Sequence, residues 1–455
     1  MQQTTIPVRP SLNKVAVPIV GEFILGMSVA LAGLYLASHT SDAAAGSFGL
    51  VQQVLETLFV VFRVLAIGLG VVVTQRLGSG DLEQAHRIAR MALGASSWAG
   101  VGVALWLLFG GTLTLDVLNA PDELWPMATL YMLLLAPSMT LEACNLSMAA
   151  VLRAHLHARE SLLIMVAMHG SHLLLAVPLM RGWGDWGGLG LNGYALAWFV
   201  SRCLGLALHL WMWRSRMQIR PQARDWWQVP RDLLWPVLRI GLPGAASEMV
   251  YRIGFMVSLS AVARLGVAAL ATHSYVLQTL KYVLIISMAI GWACEIMVGR
   301  LVGSGSLRAA DAMVRKGVRN GMLASGCIAL LAALAAPWLM RIFTRDPVII
   351  AAAQTLLWIS VLLEIGRVLN LVVPGALRAS GDIHFPLLSG IPSQLLVLGL
   401  GSYLLGRSFG LPGIWFAYVA DECVRGGLMW WRWRRHGWLP YARNTLRALR
   451  QGNRP

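Results

Sequence analysis

The sequence predicts an all-α polytopic membrane protein, with twelve transmembrane helices in two pseudo-symmetric six-helix bundles. Three observations predict it. Of 455 residues, 57% are hydrophobic and 13% charged, whereas about a quarter of the residues in a soluble domain are charged. The charges are confined to short stretches between apolar runs of about 20 residues or more, the length that crosses a bilayer. The second half of the chain also repeats landmarks of the first about 225 residues later.

The spans follow in order. The first half contains Leu12–Ser38, Phe48–Thr74, Gln84–Leu108, Glu123–Ala154, Ser161–Met180 and Gly190–Trp213. The second contains Leu233–Ala263, Ala268–Arg300, Ala309–Met340, Val348–Arg378, Phe385–Leu405 and Gly410–Trp433. This divides the chain into a lobe over 1–213, a cytoplasmic linker over 214–232, a lobe over 233–434 and a basic tail over 435–455. Trp226-Trp227 in the linker, and Trp430, Trp431, Trp433 and Trp438 in and before the tail, read as anchors at headgroup depth. Met1 to Pro10 is polar and no small-residue cleavage site follows the first apolar run, so no signal peptide is expected. The five cysteines all fall in apolar runs without ligand spacing, which makes them packing residues and gives no metal site.

A net charge of +16 would suggest nucleic acid in a soluble chain, but its distribution argues otherwise. The N-terminal segment, the loops after even-numbered spans and the tail hold 26 of the 37 lysines and arginines. These run from Arg9 and Lys14 to seven arginines between Arg432 and Arg454. The other side holds Arg181, Arg264, Arg341, Arg345 and Arg407. Cytoplasmic loops carry such an excess. Both termini are therefore expected in the cytoplasm of a bacterial-type inner membrane, with lipid and not nucleic acid as the macroscopic partner.

The repeat is specific. Pro18 in Val-Pro-Ile-Val-Gly-Glu matches Pro243 in Leu-Pro-Gly-Ala-Ala-Ser-Glu, and Arg76-Leu-Gly-Ser-Gly-Asp matches Arg300-Leu-Val-Gly-Ser-Gly-Ser. Arg153 in Val-Leu-Arg-Ala matches Arg378 in Ala-Leu-Arg-Ala, and Gly190-Leu-Asn-Gly matches Gly410-Leu-Pro-Gly. Four matches in the same order indicate duplication. Halves with an even number of spans share one orientation, an architecture recurrent in transporters whose central site opens to alternate sides.

A charged side chain at the bilayer centre costs at least about 2.5–3.5 kcal/mol, so each within a span needs a reason. The acids are Glu22, Glu56, Glu142, Glu248, Glu295, Glu364, Asp421 and Glu422; the bases are Arg63, Arg202, Arg252, Lys281, Arg367 and Arg425. Glu22, Glu248, Glu364, Glu142 and Glu295 are candidates for ion or proton coupling. Glu22 and Glu248 lie just after Pro18 and Pro243, where a freed carbonyl makes a polar, adaptable place. Glu22 has no cation three or four residues away on its own helix. Asn145, Arg252, Lys281, Arg367, Asn370, Asp421, Glu422 and Arg425 are candidates for a polar cavity or for charge pairs. The spacings Glu248–Arg252, Glu364–Arg367 and Asp421/Glu422–Arg425 also suit ion pairs that lock helices together. Glu142 and Arg367 stand three residues before Asn145 and Asn370, and opposite charges at related positions are expected to pair between the lobes in one transport state. His169 and His172 read as packing or rim residues. No nucleotide loop, metal-ligand pair or nucleophile elbow points to an enzyme.

Together, the duplicated Arg-Leu-Gly-Ser-Gly loops, Ala376-Leu-Arg-Ala-Ser-Gly-Asp-Ile-His-Phe-Pro and Gly410-Leu-Pro-Gly-Ile-Trp resemble the multidrug and toxic compound extrusion (MATE) family over nearly the whole chain. The resemblance implies a V-shaped pair of bundles, acting as a monomer, that exports small organic compounds in exchange for protons or sodium ions. No cofactor beyond H+ or Na+ is implied. The chain departs from the family where Leu31-Ala32-Gly33-Leu34 replaces a carboxylate, where an acid falls on Tyr251, and where another falls near Arg367. A flippase for a lipid-linked precursor, an exporter of one specialised metabolite, and a non-transporting scaffold or receptor are the alternatives.

Overall fold

The structure, a computed structural model, describes residues 11–451. Arg9 and Arg454, counted among the cytoplasmic cations, lie outside the described residues, as does the end of the tail. In chain order the helices are α1 (Leu12–Ser38), α2 (Asp42–Gly78), α3 (Leu82–Phe109), α4 (Gly111–Val117), α5 (Trp125–Ala154), α6 (Ala158–Arg181), α7 (Leu191–Arg216) and α8 (Arg224–Trp227). They continue with α9 (Arg231–Ala263), α10 (Val267–Gly303), α11 (Leu307–Leu334), α12 (Ala336–Arg341), α13 (Pro347–Ser380), α14 (His384–Pro392), α15 (Gly401–Arg434) and α16 (Leu439–Gln451).

Among the described residues, ten helices are long and apolar enough to cross a membrane. One of them, His384–Arg434, is two of the expected spans joined at a break at Gly410. The seventh expected span, α9, is a 33-residue helix whose apolar run is interrupted by Arg239, Glu248 and Arg252. The ends moved outward mainly where polar caps extend a helix past its apolar run. Ser41 caps α2 by accepting from Ala44 N, and Asp346 caps α13 by accepting from Val348 N. The ninth span ends at Leu334, before a separate short helix Ala336–Arg341 whose second residue is Pro337, a residue suited to a helix start and not its interior. The eleventh contains a π-helical stretch, Ser393–Leu400, directly after Pro392.

The chain divides into two compact units, Gly21–Ala245 and Met1–Val20 with Ala246–Pro455, so the division falls within α1 and α9. Each unit is organised round one central helix. In the first, α5 packs on α2, α3 and α7; in the second, α13 packs on α10, α11 and α15. The first core contains Phe48, Phe62, Tyr131, Leu135 and Tyr194, and the second Val276, Leu356, Leu363, Trp415 and Tyr418.

The sequence repeat is also a conformational repeat. Gly80 (φ 80°) and Gly305 (φ 77°) make the turns after α2 and α10. Gly190 (φ 56°, ψ −135°) and Gly410 (φ 63°, ψ −146°) open the last span of each unit. Both pairs need backbone conformations that a Cβ disfavours, which is why glycine recurs at these points.

Candidate functional site

In the second unit, two helices are brought together by small residues. A Cβ on Gly366 of α13 would meet the backbone of Glu422 and Cys423 at 2.8–2.9 Å, and one on Gly426 of α15 would meet Gly366 O at 2.8 Å. This close approach, with Cβ atoms absent from both helices, sets the charges of α13 beside those of α15. Arg367 pairs with Glu364 one turn earlier and lies 3.7 Å from Glu422. Arg425 bonds Asp421 at 2.9 Å and Glu422 at 3.2 Å. Asn370 Nδ2 donates to Glu422 Oε2 at 2.6 Å and to Glu422 O at 2.7 Å, while the Ser393 hydroxyl, from the π-helical stretch, donates to Asp421 at 2.6 Å. Glu364, Asp421, Glu422 and Arg367 are all buried, Glu364 completely. Tyr251 of α9 lies beside the cluster, its ring 5.8 Å from the Arg425 guanidinium. Three carboxylates thus share two guanidiniums in the interior of one unit.

The first unit holds a smaller arrangement. Glu142 of α5 pairs with Arg202 of α7, whose guanidinium also lies 3.8 Å above the Trp198 ring. Asn145 Nδ2 donates to Arg202 O at 3.1 Å, and its Oδ1 lies 3.0 Å from His209 Nδ1. His172 packs edge-on against Tyr194 and Trp198, with ring centroids at 4.5 and 5.2 Å. His169 and His172 are buried in the unit and not at its rim.

In the last turns of α5 and α13 stand the two repeat-related arginines. Arg153 donates to Glu22 at 2.9 Å. Arg378 holds Glu295 in a fork, Nε to Oε1 at 3.1 Å and Nη2 to Oε2 at 3.0 Å, and also feels the Glu248 carboxylate.

The partners of the other expected residues are as follows. Glu142 and Arg367 are each engaged inside their own unit, Glu142 with Arg202 of α7 and Arg367 with Glu364 of α13 and Glu422 of α15. Glu22, with no cation three or four residues away on its own helix, finds one 131 residues away. Lys281 is exposed on α10 and stands outside the acid cluster. The linker tryptophan Trp226 is tied to α3. Its indole donates to Ser97 at 2.9 Å and its carbonyl accepts from Trp98 at 2.7 Å, which fastens α8 to α3. Trp433 and Trp438 are likewise buried, stacked at 4.3 Å. Glu248 and Arg252 lie one turn apart on α9 as expected. Sequence reasoning passed over Ser393 and His209, whose importance comes only from helices far away in the chain.

The profile of the family described as MatE matches residues 18–177 and 243–402, two stretches that begin at the repeated prolines Pro18 and Pro243. The uncharacterized transporter YisQ of Bacillus subtilis is 27% identical over 434 residues, covering 94% of this chain and 95% of that protein. The probable multidrug resistance protein NorM of Thermotoga maritima is 24% identical over 435 residues, covering 92% and 91%. A multidrug resistance MATE family transporter of the MOP superfamily, solved in an outward-facing conformation, superposes with a TM-score of 0.83 at 18% identity over 96% of both chains. The Vibrio cholerae MATE transporter VcmN in its bent form gives 0.85 at 18% identity over 96% of this chain and 97% of that one. The structural likeness carries the fold, and the two matched stretches carry the family: this chain belongs to the MatE family and is a multi-pass membrane transporter.

Proposed function

We propose that the protein is a secondary antiporter that exports cationic or amphiphilic organic compounds in exchange for protons or sodium ions, with the α13–α15 acid cluster as the coupling site. The observation that carries this reading is the charge imbalance in that cluster. Glu364, Asp421 and Glu422 face Arg367 and Arg425, and the charged groups acting on Glu364 are Arg367 and Glu422. Three negative charges against two positive leave one uncompensated in a buried place, where a lone charge is costly. A proton on one carboxyl or a sodium ion among the carboxylates would remove that cost. Coupling then needs only that this occupant and the organic solute favour different transport states. Multidrug resistance in the names of the NorM relatives supports an organic cargo, and the cation asymmetry of the sequence supports an inner-membrane protein with cytoplasmic termini.

The test is flux of a fluorescent organic cation from proteoliposomes under separately imposed proton and sodium gradients. Wild type should respond to one gradient, and Glu364→Gln and Asp421→Asn should each abolish that response. Unchanged gradient dependence in both variants would defeat the coupling site, and absence of gradient-driven flux for every solute tried would defeat the antiporter.

A further inference from the structure

The chain after the last span is strongly basic. From Trp431 to Pro455 it carries seven arginines and no aspartate or glutamate. Arg432 is engaged internally: it donates to Asp382 at 3.0 Å, in the turn after α13, and lies over Phe385 and Tyr441 at 4.9 and 5.6 Å. Trp433 donates to Asp311 of α11 at 2.9 Å. These contacts turn the chain so that α16 lies across the ends of other helices. The Thr445 hydroxyl donates to Ser380 O at 3.3 Å, Leu446 reaches the Gly305 turn, and Ala442 and Leu449 are buried beneath the helix.

One face of α16 is therefore closed on the turns that follow α10 and α13. The exposed side presents Arg443, Arg447 and Arg450, spaced four and three residues apart on one stripe. Arg308 and Lys316, in the first turns of α11, are exposed at the same end. Among the described residues none of these five cations forms an ion pair. The helix sits where spans end, which is the depth of lipid headgroups, and Trp431 and Tyr441 are exposed beside it.

We infer that α16 and the start of α11 form a docking surface for anionic phospholipid headgroups in the leaflet at this end of the unit. Charge complementarity commits the surface to this occupant. An amphipathic basic helix lying in the interface attracts anionic lipid, and guanidiniums match the oxygens of a phosphodiester. The inference does not depend on which solute or ion the transporter carries.

The full-length protein in neutral detergent is titrated with dioleoylphosphatidylglycerol or dioleoylphosphatidylcholine, and bound lipid is counted by native mass spectrometry. Wild type should prefer phosphatidylglycerol. A basic side chain near an anionic surface contributes about fivefold, so Arg447→Gln should lower the preference about fivefold and the triple variant Arg443→Gln/Arg447→Gln/Arg450→Gln on the order of a hundredfold. The side chains are exposed, so thermal unfolding should stay as in wild type, and lysine at all three positions should restore much of the preference. Arg181→Gln/Arg341→Gln, outside the surface, should leave it intact. Equal binding of the two lipids by wild type, or an undiminished preference in both glutamine variants, would overturn the inference. So would competition by glycerol phosphate at concentrations matching the lipid, which would show a site for free phosphate.

Discussion

Arg153 and Arg378 occupy equivalent places in the duplicated halves, yet they close on different helices. Arg153 takes Glu22 of α1, and Arg378 takes Glu295 of α10 with Glu248 nearby. Removing one member of a buried pair leaves the other charge unmatched, at a cost of about 3–5 kcal/mol. Arg153→Ala should therefore lower the unfolding temperature in detergent sharply, and Glu22→Gln/Arg153→Gln, which leaves no lone charge, should recover part of the loss. A double variant no more stable than Arg153→Ala would mean that Arg153 acts through packing alone. Arg153 and Arg378 were legible in the sequence as loop cations and as a matched pair of the repeat, but not as members of ion pairs, because their partners lie 131 and 83 residues away. By contrast, Glu364–Arg367 and Asp421–Arg425 were legible from spacing, since a helix puts residues three and four apart on one face.

At the scale of helices, glycine placement decides how closely charges can meet. Gly366 and Gly426 let α13 and α15 touch at the backbone. A methyl group at Gly366 should cost about 1–3 kcal/mol of stability by overpacking and should weaken gradient-driven flux by spreading the acid cluster. Thermal unfolding and flux on the same preparation check this, and wild-type values for both would remove the close approach from the argument. Gly80 and Gly305 have a different duty, since each holds a left-handed turn. Alanine at either should cost about 1–2 kcal/mol. The two positions should give similar values if the turns are as alike as their dihedrals, although Arg76–Asp81 at 3.0 Å braces the first turn. Gly80 and Gly305 stand out in the sequence through the repeated Gly-Ser-Gly loops, whereas the duty of Gly366 and Gly426 shows only where α13 meets α15.

For the whole molecule, the distribution of cations makes an orientation prediction. A reporter active only in the cytoplasm, fused after Pro455, should be active, and a reporter active only outside should be silent at that position. The reverse outcome would place the Gly80 and Gly305 turns, and the arginine face of α16, on the outer side. The duplicated prolines, glycines and arginines also allowed the twelve-span plan and its division into halves to be read before any helix was placed. Compositional reasoning worked at this scale because lipid imposes it: a spanning segment must satisfy its own backbone and present apolar side chains over its full length.

The chain's own order of residues determined the membrane class, the spans, the duplication and the short-range ion pairs, all consequences of solvent and of helical period. Only the tertiary structure decided which acids share an arginine, that Ser393 and Asn370 join the acid cluster, and that α8 and α16 fold back on their own units. Those facts depend on helices that meet far apart in sequence, and no local periodicity records which face of one helix another will cover.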